Sequence, residues 1–336
     1  MKAVERAGII EAVESGGRGR RERLKAVNVP RPTYYRWKRR YEGGGTAALE
    51  RRGGPEGSWM GLTPQEDAEA LSFAKEHPEL SPRLISVKLL DEKAIFVSES
   101  TLFRRLKALG LVEPRPFCDM PAAKEWKHKT TGPDQIWQCD GTNFFVVGWG
   151  YYKAIPVIDD FSRKILAMPV KRDESSNSIS DAVEEAIEAA RREGHLLKAM
   201  PLLLSDNGPG FVGDILSRYL GQRGIRHIFG QPYHPQTQGK VEAVNKLIKG
   251  RVKLLVYCSP EELQAAVAEA VRIHNETPRE ALKNVSPNAV YAGRMDEVLK
   301  RRAEVKRQAL AKRLAYNRAR RLESQRSSSA EVSQND

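Results

Sequence analysis

The sequence predicts a layered α/β domain, preceded by two all-α modules and followed by a basic helical tail. Three observations carry this reading. Apolar residues recur at helical spacing through the first 112 residues. From Gln135 onward, short apolar, aromatic and β-branched runs alternate with amphipathic stretches. Positive charge gathers at the two ends: residues 18–40 hold ten Lys or Arg against one acid, residues 294–326 twelve against four, and the whole chain carries +13.

Residues 1–54 read as a helix-turn-helix module. Val4, Ile9, Ile10 and Val13 mark a short apolar helix, which Ser15-Gly16-Gly17 breaks. A second helix is expected over 20–27. A third starts near Pro32, because proline suits a first helical turn. Tyr34, Trp37 and Tyr41, at i, i+3 and i+7, give it a buried side. Arg36, Lys38 and Arg39 fall mostly off that side, and the second helix of such a pair is the one that enters a DNA groove. Gly43-Gly44-Gly45 is expected to end it, and 52–58 to be a flexible linker.

Residues 62–112 read as a second module of the same kind. Thr63 before Pro64 is a candidate N-cap, and Ser98 another. The last helix has Leu102, Leu106 and Leu109 on one face and Gly110 as terminator. Arg104, Arg105 and Lys107 lie away from that face. Proline-containing 113–130 reads as a linker, and 131–293 as the α/β domain. Within it 144–149 and 151–158 form a hairpin, 164–170 a third strand, 200–205 a leucine-rich strand and 226–229 a short one. Helices are expected over 178–191, 211–222, 241–257 and 261–274. Residues 294–336 read as a basic tail, partly disordered, in which Lys300, Arg301 and Arg302 face DNA.

Several classes are set aside. No stretch approaches ~18 consecutive apolar residues, the least a membrane span needs. The first residues lack the apolar run and cleavage site of a signal peptide, so a cytoplasmic protein is expected, nucleoid-associated if bacterial. Cys118, Cys139 and Cys258 are too few and too scattered for a disulfide framework or a zinc finger. Basic ends favour a polyanion, through counterion release from a phosphate backbone.

Chemistry concentrates in Trp137-Gln-Cys-Asp140-Gly-Thr, Ser205-Asp206-Asn-Gly-Pro-Gly-Phe211 and His234-Pro-Gln-Thr-Gln-Gly-Lys-Val-Glu242. Asp140 is placed where the first strand begins, Asp206 where the leucine-rich strand ends, and Glu242 in the first turn of a helix. Converging carboxylates repel and raise one another's pKa. A hard divalent cation such as Mg2+ relieves this, and it leaves positions open for phosphate oxygens. Two such ions can activate an attacking oxygen and stabilise a leaving one, as phosphodiester cleavage requires. Taken singly, Asp206 could sit in an ordinary turn and Glu242 on an ordinary helix surface. In the helix that starts at Val241, the apolar stripe Val241, Val244, Ile248, Val252 and Leu255 flanks a polar face of Glu242, Asn245, Lys246, Lys249 and Lys253.

The wording around the three acids resembles the catalytic cores of retroviral integrases and related insertion-sequence transposases. Asp206 and Glu242 have 35 residues between them, the family's typical spacing, and Asp159-Asp160-Phe-Ser-Arg163 is a further hallmark. The resemblance covers about residues 131–293. It implies a ribonuclease-H-like core, with a mixed sheet flanked by helices, in which Asp140, Asp206 and Glu242 form a metal-binding catalytic triad. It further implies two Mg2+ ions per site, with Mn2+ as a substitute, and structural roles for Asp159 and Asp160. Lys246 and Lys249 match positions that contact the DNA end, and 230–239 a mobile loop over the site. The chain departs from retroviral integrases in lacking a His/His/Cys/Cys module and a terminal β-barrel. The expected function is a DNA transposase, oligomeric on DNA, that binds an element's terminal repeats and joins them to target DNA. The alternatives are a catalytically idle DNA-binding regulator of transposase descent and a nuclease of the same fold.

Overall fold

The computed structural model describes residues 3–15, 19–49, 60–111, 130–195, 199–229, 239–253 and 255–332. The expected linker at 52–58, residues 113–129 and the 230–238 part of the expected loop lie outside the described residues. The chain divides into two compact units, Met1–Thr63 with Lys312–Asp336, and Pro64–Ala311. Among the described residues, no helix is long and apolar enough to cross a membrane.

The first unit holds α1 (Ala3–Ser15), α2 (Arg20–Ala26) and α3 (Arg31–Ala48). Ala7, Ile10, Val13, Leu24, Val29, Tyr34 and Leu49 form its core, whereas Val4 is exposed. The turn into α3 passes through Asn28 in the left-handed region, which Asn tolerates better than most side chains. The three glycines kink α3 instead of ending it. Gly45 takes φ 61° and ψ −156°, a conformation open to glycine alone, and the helix resumes as far as Ala48.

The second unit opens with α4 (Pro64–Glu76), α5 (Pro82–Glu92) and α6 (Glu99–Ala108). Ser98 caps α6 as expected, its Oγ accepting from Thr101 N at 3.2 Å. Gly110, at φ 69°, closes the helix with Leu111 N donating to Leu106 O at 2.9 Å. Leu102 and Leu106 are buried, but Leu109 lies one residue past the last turn and is exposed.

The α/β region contributes β1 (Ile136–Cys139), β2 (Thr142–Val146), β3 (Gly150–Ala154), β4 (Val157–Asp159), β5 (Ile165–Ala167), β6 (Val170–Lys171), α7 (Ser176–Arg192), β7 (Leu202–Ser205), α8 (Pro209–Val212), α9 (Asp214–Arg223), β8 (Arg226–Phe229), α10 (Gly239–Val252), α11 (Pro260–Glu276), α12 (Pro287–Tyr291) and α13 (Met295–Val332). A mixed sheet runs β5-β4-β1-β7-β8, and an antiparallel one β2-β3-β6. The second continues the first. β1 and β2, β3 and β4, and β5 and β6 are each separated by two residues: Asp140-Gly141, Ile155-Pro156 and Met168-Pro169. Three long antiparallel strands thus bend along one line, and proline at two of the breaks removes a ladder donor there.

One face of the mixed sheet meets α7 and α9 through Trp137, Cys139, Ile179, Val183, Leu216 and Leu220. On the other, Ile158 and Ile165 meet α10 and α11 through Val241, Val244, Ile248, Leu263 and Val267.

The helical module of this unit is fixed to the core by arginines. Arg302 of α13 forks onto Asp91 of α5 at 2.6 and 2.8 Å and donates to Asn284 O at 2.9 Å. Arg83 of α5 reaches Asn284 Oδ1. Arg301 also pairs with Asp91, at 3.4 Å. Arg302 therefore serves the protein's own packing, where the sequence reading had it facing DNA, whereas the Arg301 side chain stays 61% exposed. Within residues 294–336, read as a partly disordered basic tail, Met295–Val332 form one helix.

Close approach explains the glycines that follow β7. A Cβ on Gly210 would stand 1.9 Å from Glu174 O. Gly221, inside α9, has nothing within 4 Å. Gly210→Ala is therefore expected to lower unfolding stability by about 1–3 kcal/mol, as overpacking does. Gly221→Ala is expected to raise it by about 0.5–1 kcal/mol through helix propensity. Urea melts of both variants decide the matter: equal effects would mean that the tight contact at Gly210 does not exist in solution.

Candidate active site

Asp140 stands at the break between β1 and β2. The sequence reading placed it at the start of the first strand, but a buried four-residue strand, Ile136–Cys139, precedes it. That strand was missed because Trp137, Gln138 and Cys139 are all buried, which leaves no alternation to read. β1 pairs in parallel with β7, Gln138 opposite Leu204. Carried two residues further, this register sets Asp140 level with Asp206, at the ends of neighbouring strands. Asp206 leaves β7 as expected and accepts from Gly208 N at 2.8 Å, which orients the carboxylate. Glu242 lies in the first turn of α10 and is exposed.

Asn245, read from sequence as part of the polar face, is only 6% exposed. Its Nδ2 donates to Asp140 Oδ2 at 2.9 Å. It therefore links α10 to the end of β1. The lysines that follow behave differently: Lys246 is exposed and Lys249 half-buried, and neither has an acidic partner among the described residues.

Sequence reasoning did not single out Glu174. It sits just before α7, and a Cβ on Gly141 would come within 2.0 Å of its Oε1. Lys153 of β3 bonds its other oxygen at 2.6 Å. The signal in the sequence was Gly141 beside an acid, since a missing side chain leaves room for a neighbour. Electrostatics registers the gathering. The Asp140 carboxyl is pushed up to about 6 by burial first, then by the charge of Asp206, with smaller contributions from Glu174 and Glu242, against the lowering hydrogen bond from Asn245. Burial, with Asp140, Glu174 and Asp206, likewise drives the Cys139 thiol well up.

Asp159 and Asp160 do structural work. Asp159 is fully buried and accepts from Ser162 N, Ser162 Oγ and Asp134 N at 2.6–2.8 Å. Burial pushes its carboxyl up to about 6 despite those bonds. Asp160 accepts from Gln138, Lys240 and Thr130 at 2.6–2.7 Å.

Among the described residues, no three His, Cys, Asp or Glu side chains are gathered tightly enough to share a metal ion. The donor set nonetheless fits a hard cation, since the converging groups offer oxygen. Asn245 Oδ1 and Thr142 Oγ1 beside Asp140 are also buried without a partner.

The candidate DNA contacts on the helical modules divide. Arg36 and Arg39 are exposed on α3, whereas Lys38 is held by Glu14 at 2.9 Å and Glu42 at 3.6 Å. On α6, Arg104, Arg105 and Lys107 are exposed. Arg104 bonds Ser100 O at 3.1 Å and Arg105 pairs with Asp67 at 3.3 Å, which leaves Lys107 the least engaged.

Comparisons with known proteins give the relationship. Residues 130–235 match the family model of the integrase core domain, 5–56 a helix-turn-helix domain and 33–106 a homeodomain-like domain. The chain is 34% identical over 123 residues to the Gag-Pro-Pol polyprotein of squirrel monkey retrovirus, covering 37% of this chain and 6% of that one. It is 31% identical over 117 residues to the Pol-related polyprotein of mouse intracisternal A-particle MIA14, covering 35% and 12%. It thus spans only a small part of these relatives. Solved structures similar to it include the integrase catalytic core domain of HTLV-2 in complex with magnesium, 21% identical with TM-score 0.38, over 48% of this chain and 99% of that one. The BIV integrase catalytic core domain is similar too, 22% identical with TM-score 0.37, over 48% and 95%.

The mixed sheet between two pairs of helices, with acids at its strand ends, has the layered arrangement of a ribonuclease-H-like fold. More narrowly, the chain carries an integrase core domain behind helix-turn-helix domains, an arrangement that fits insertion-sequence transposases.

The raised Asp140 carboxyl has a consequence for stability. A carboxyl whose folded pKa exceeds its unfolded one favours the fold below about pH 4 and loses that advantage as pH rises to about 6. Asp140→Asn escapes the loss. In metal-free buffer it should be more stable than wild type at pH 8, by on the order of 1 kcal/mol after solvent screening, with the gap closing near pH 4. Thermal melts in EDTA across that range test it, and a pH-independent difference would mean that burial and the neighbouring acids do not raise this carboxyl.

Proposed function

We propose that this protein is a DNA transposase that binds the terminal repeats of a mobile element, cleaves a phosphodiester there and transfers the freed strand end to target DNA. The observation that carries the reading is the parallel pairing of β1 with β7, after which Asp140 and Asp206 follow at neighbouring strand ends, with α10 tied to Asp140 through Asn245. The family match stops at residue 235, so the assignment of Glu242 rests on its place in α10, on its charge felt at Asp140 and on the motif before it.

Asp140, Asp206 and Glu242 are the residues that would hold divalent cations. Mg2+, with Mn2+ as substitute, supplies charge that activates the attacking oxygen and stabilises the leaving one. Asn245 fixes the orientation of Asp140. Lys246 and Lys249, beyond Glu242 on the same helix, meet backbone phosphates. The helix-turn-helix domains read base edges through Arg36 and Arg39 on α3 and through Arg104, Arg105 and Lys107 on α6, in the major groove. Lys38, paired internally, contributes least. Joining two element ends to one target calls for two active sites, so the working form is a homo-oligomer on DNA.

Asp140→Asn, Asp206→Asn and Glu242→Gln are each expected to cut cleavage and strand transfer of a DNA end by at least about 100-fold with the fold retained. Near-wild-type transfer by any of them would cancel that residue's role. A wild-type protein that binds DNA and never cuts it would be a regulator. One that cuts and never joins would be a nuclease.

The double change Lys246→Ala with Lys249→Ala should weaken binding to every DNA sequence. It should also reduce the slope of log K against log salt by roughly 0.9 per lost phosphate contact. Titrations from low to moderate salt measure this, and an unchanged slope would show that the face is only solvated.

A further inference from the structure

Glu242 needs a fixed position, yet it sits at the start of a helix, where backbone donors lack intrahelical partners. We infer that Lys240 is a positioning residue: its ammonium ties the first turn of α10 to Asp160 and so sets where Glu242 stands relative to Asp140. The inference rests on the proposed metal-dependent chemistry.

The tie is a closed circuit of hydrogen bonds. Lys240 Nζ donates to Asp160 Oδ2 at 2.6 Å and to Asp160 O at 3.1 Å. Asp160, 6% exposed, takes Gln138 Nε2 on its other oxygen at 2.7 Å. Gln138, 2% exposed, returns its Oε1 to Val241 N at 3.2 Å, so the circuit ends on the residue next to Lys240. Gln138 and Asp140 lie two apart on an extended chain, so their side chains leave on the same side. Each takes a bond from α10, Gln138 from Val241 and Asp140 from Asn245. Glu242 is thus held between two pinned residues. Packing alone does not account for Lys240, since Val241, Val244 and Ile248 already bury the apolar face. The ammonium is the charged partner of the buried Asp160 carboxylate, and removing one member of such a pair leaves the other uncompensated.

The test uses the full chain with Lys240→Met, which keeps the aliphatic stem, and Lys240→Arg, which keeps the charge. Hydrogen exchange in EDTA is followed over residues 241–245. Lys240→Met should speed exchange there about tenfold, with the sheet unaffected, and Lys240→Arg should stay near wild type. The Mg2+ concentration for half-maximal DNA cleavage should rise several-fold in Lys240→Met at unchanged DNA affinity, and Lys240→Arg should recover it. If Lys240→Met does not fold, Asp160→Asn replaces it with the same expectations. Unchanged exchange, or faster exchange with an unaltered Mg2+ requirement, would reduce Lys240 to an ordinary surface pair. If the wild type itself neither binds nor cleaves DNA, the proposed chemistry falls, and with it the positioning role. Exchange in EDTA then still reports whether the tie exists.

Discussion

Two like charges held level at the ends of adjacent strands repel, and the parallel pairing of β1 with β7 keeps Asp140 and Asp206 in that relation. Backbone hydrogen bonds along the two strands fix the spacing, and the apolar layers on either face make separation costly. The surroundings then supply what the pair lacks: a neutral amide from Asn245, a backbone amide from Gly208, and a lysine for the neighbouring Glu174. Burial first, and then the charge of Asp206, leave the Asp140 carboxyl raised.

The bend through the sheet serves the same arrangement. Were β1 and β2 one uninterrupted strand, Asp140 would lie within a ladder. The break at Asp140-Gly141 frees it at a corner. The absence of a side chain at Gly141 and Gly210 lets the segment before α7 close over that corner. Sheet geometry and small residues thus place an acid from a third element, Glu174, beside two that sequence motifs reveal.

Helical spacing and turn residues in the sequence were enough to place most helices, and the words around Asp140, Asp206 and Glu242 pointed to a candidate site. The remainder depended on tertiary contacts that periodicity does not encode. β1 was hidden because burial on both sides erased its alternation. Asn245 fell on the polar face by spacing yet turned inward, because a hydrogen-bonding partner waited at the end of β1. Leu109 and Leu255 fitted apolar stripes but lie beyond the last turn of their helices and are exposed. Arg302 looked like part of a basic surface, and only the proximity of α5 gave it Asp91 as partner. The three glycines after Tyr41 promised an end and delivered a kink, because Leu49 is drawn back into the small core beyond them.

The bridge from Arg302 and Arg83 to the second helical module has a mechanical meaning. It joins α5 to the core through forked, charge-assisted bonds, and α6 packs directly against α5. The exposed face of α6 and the acid-bearing strand ends are then two marks on one ruler. A double helix laid along that ruler would be measured as well as gripped. Under the proposed function, the number of base pairs between a stretch touched by α6 and a bond at the carboxylates would be set by that fixed span.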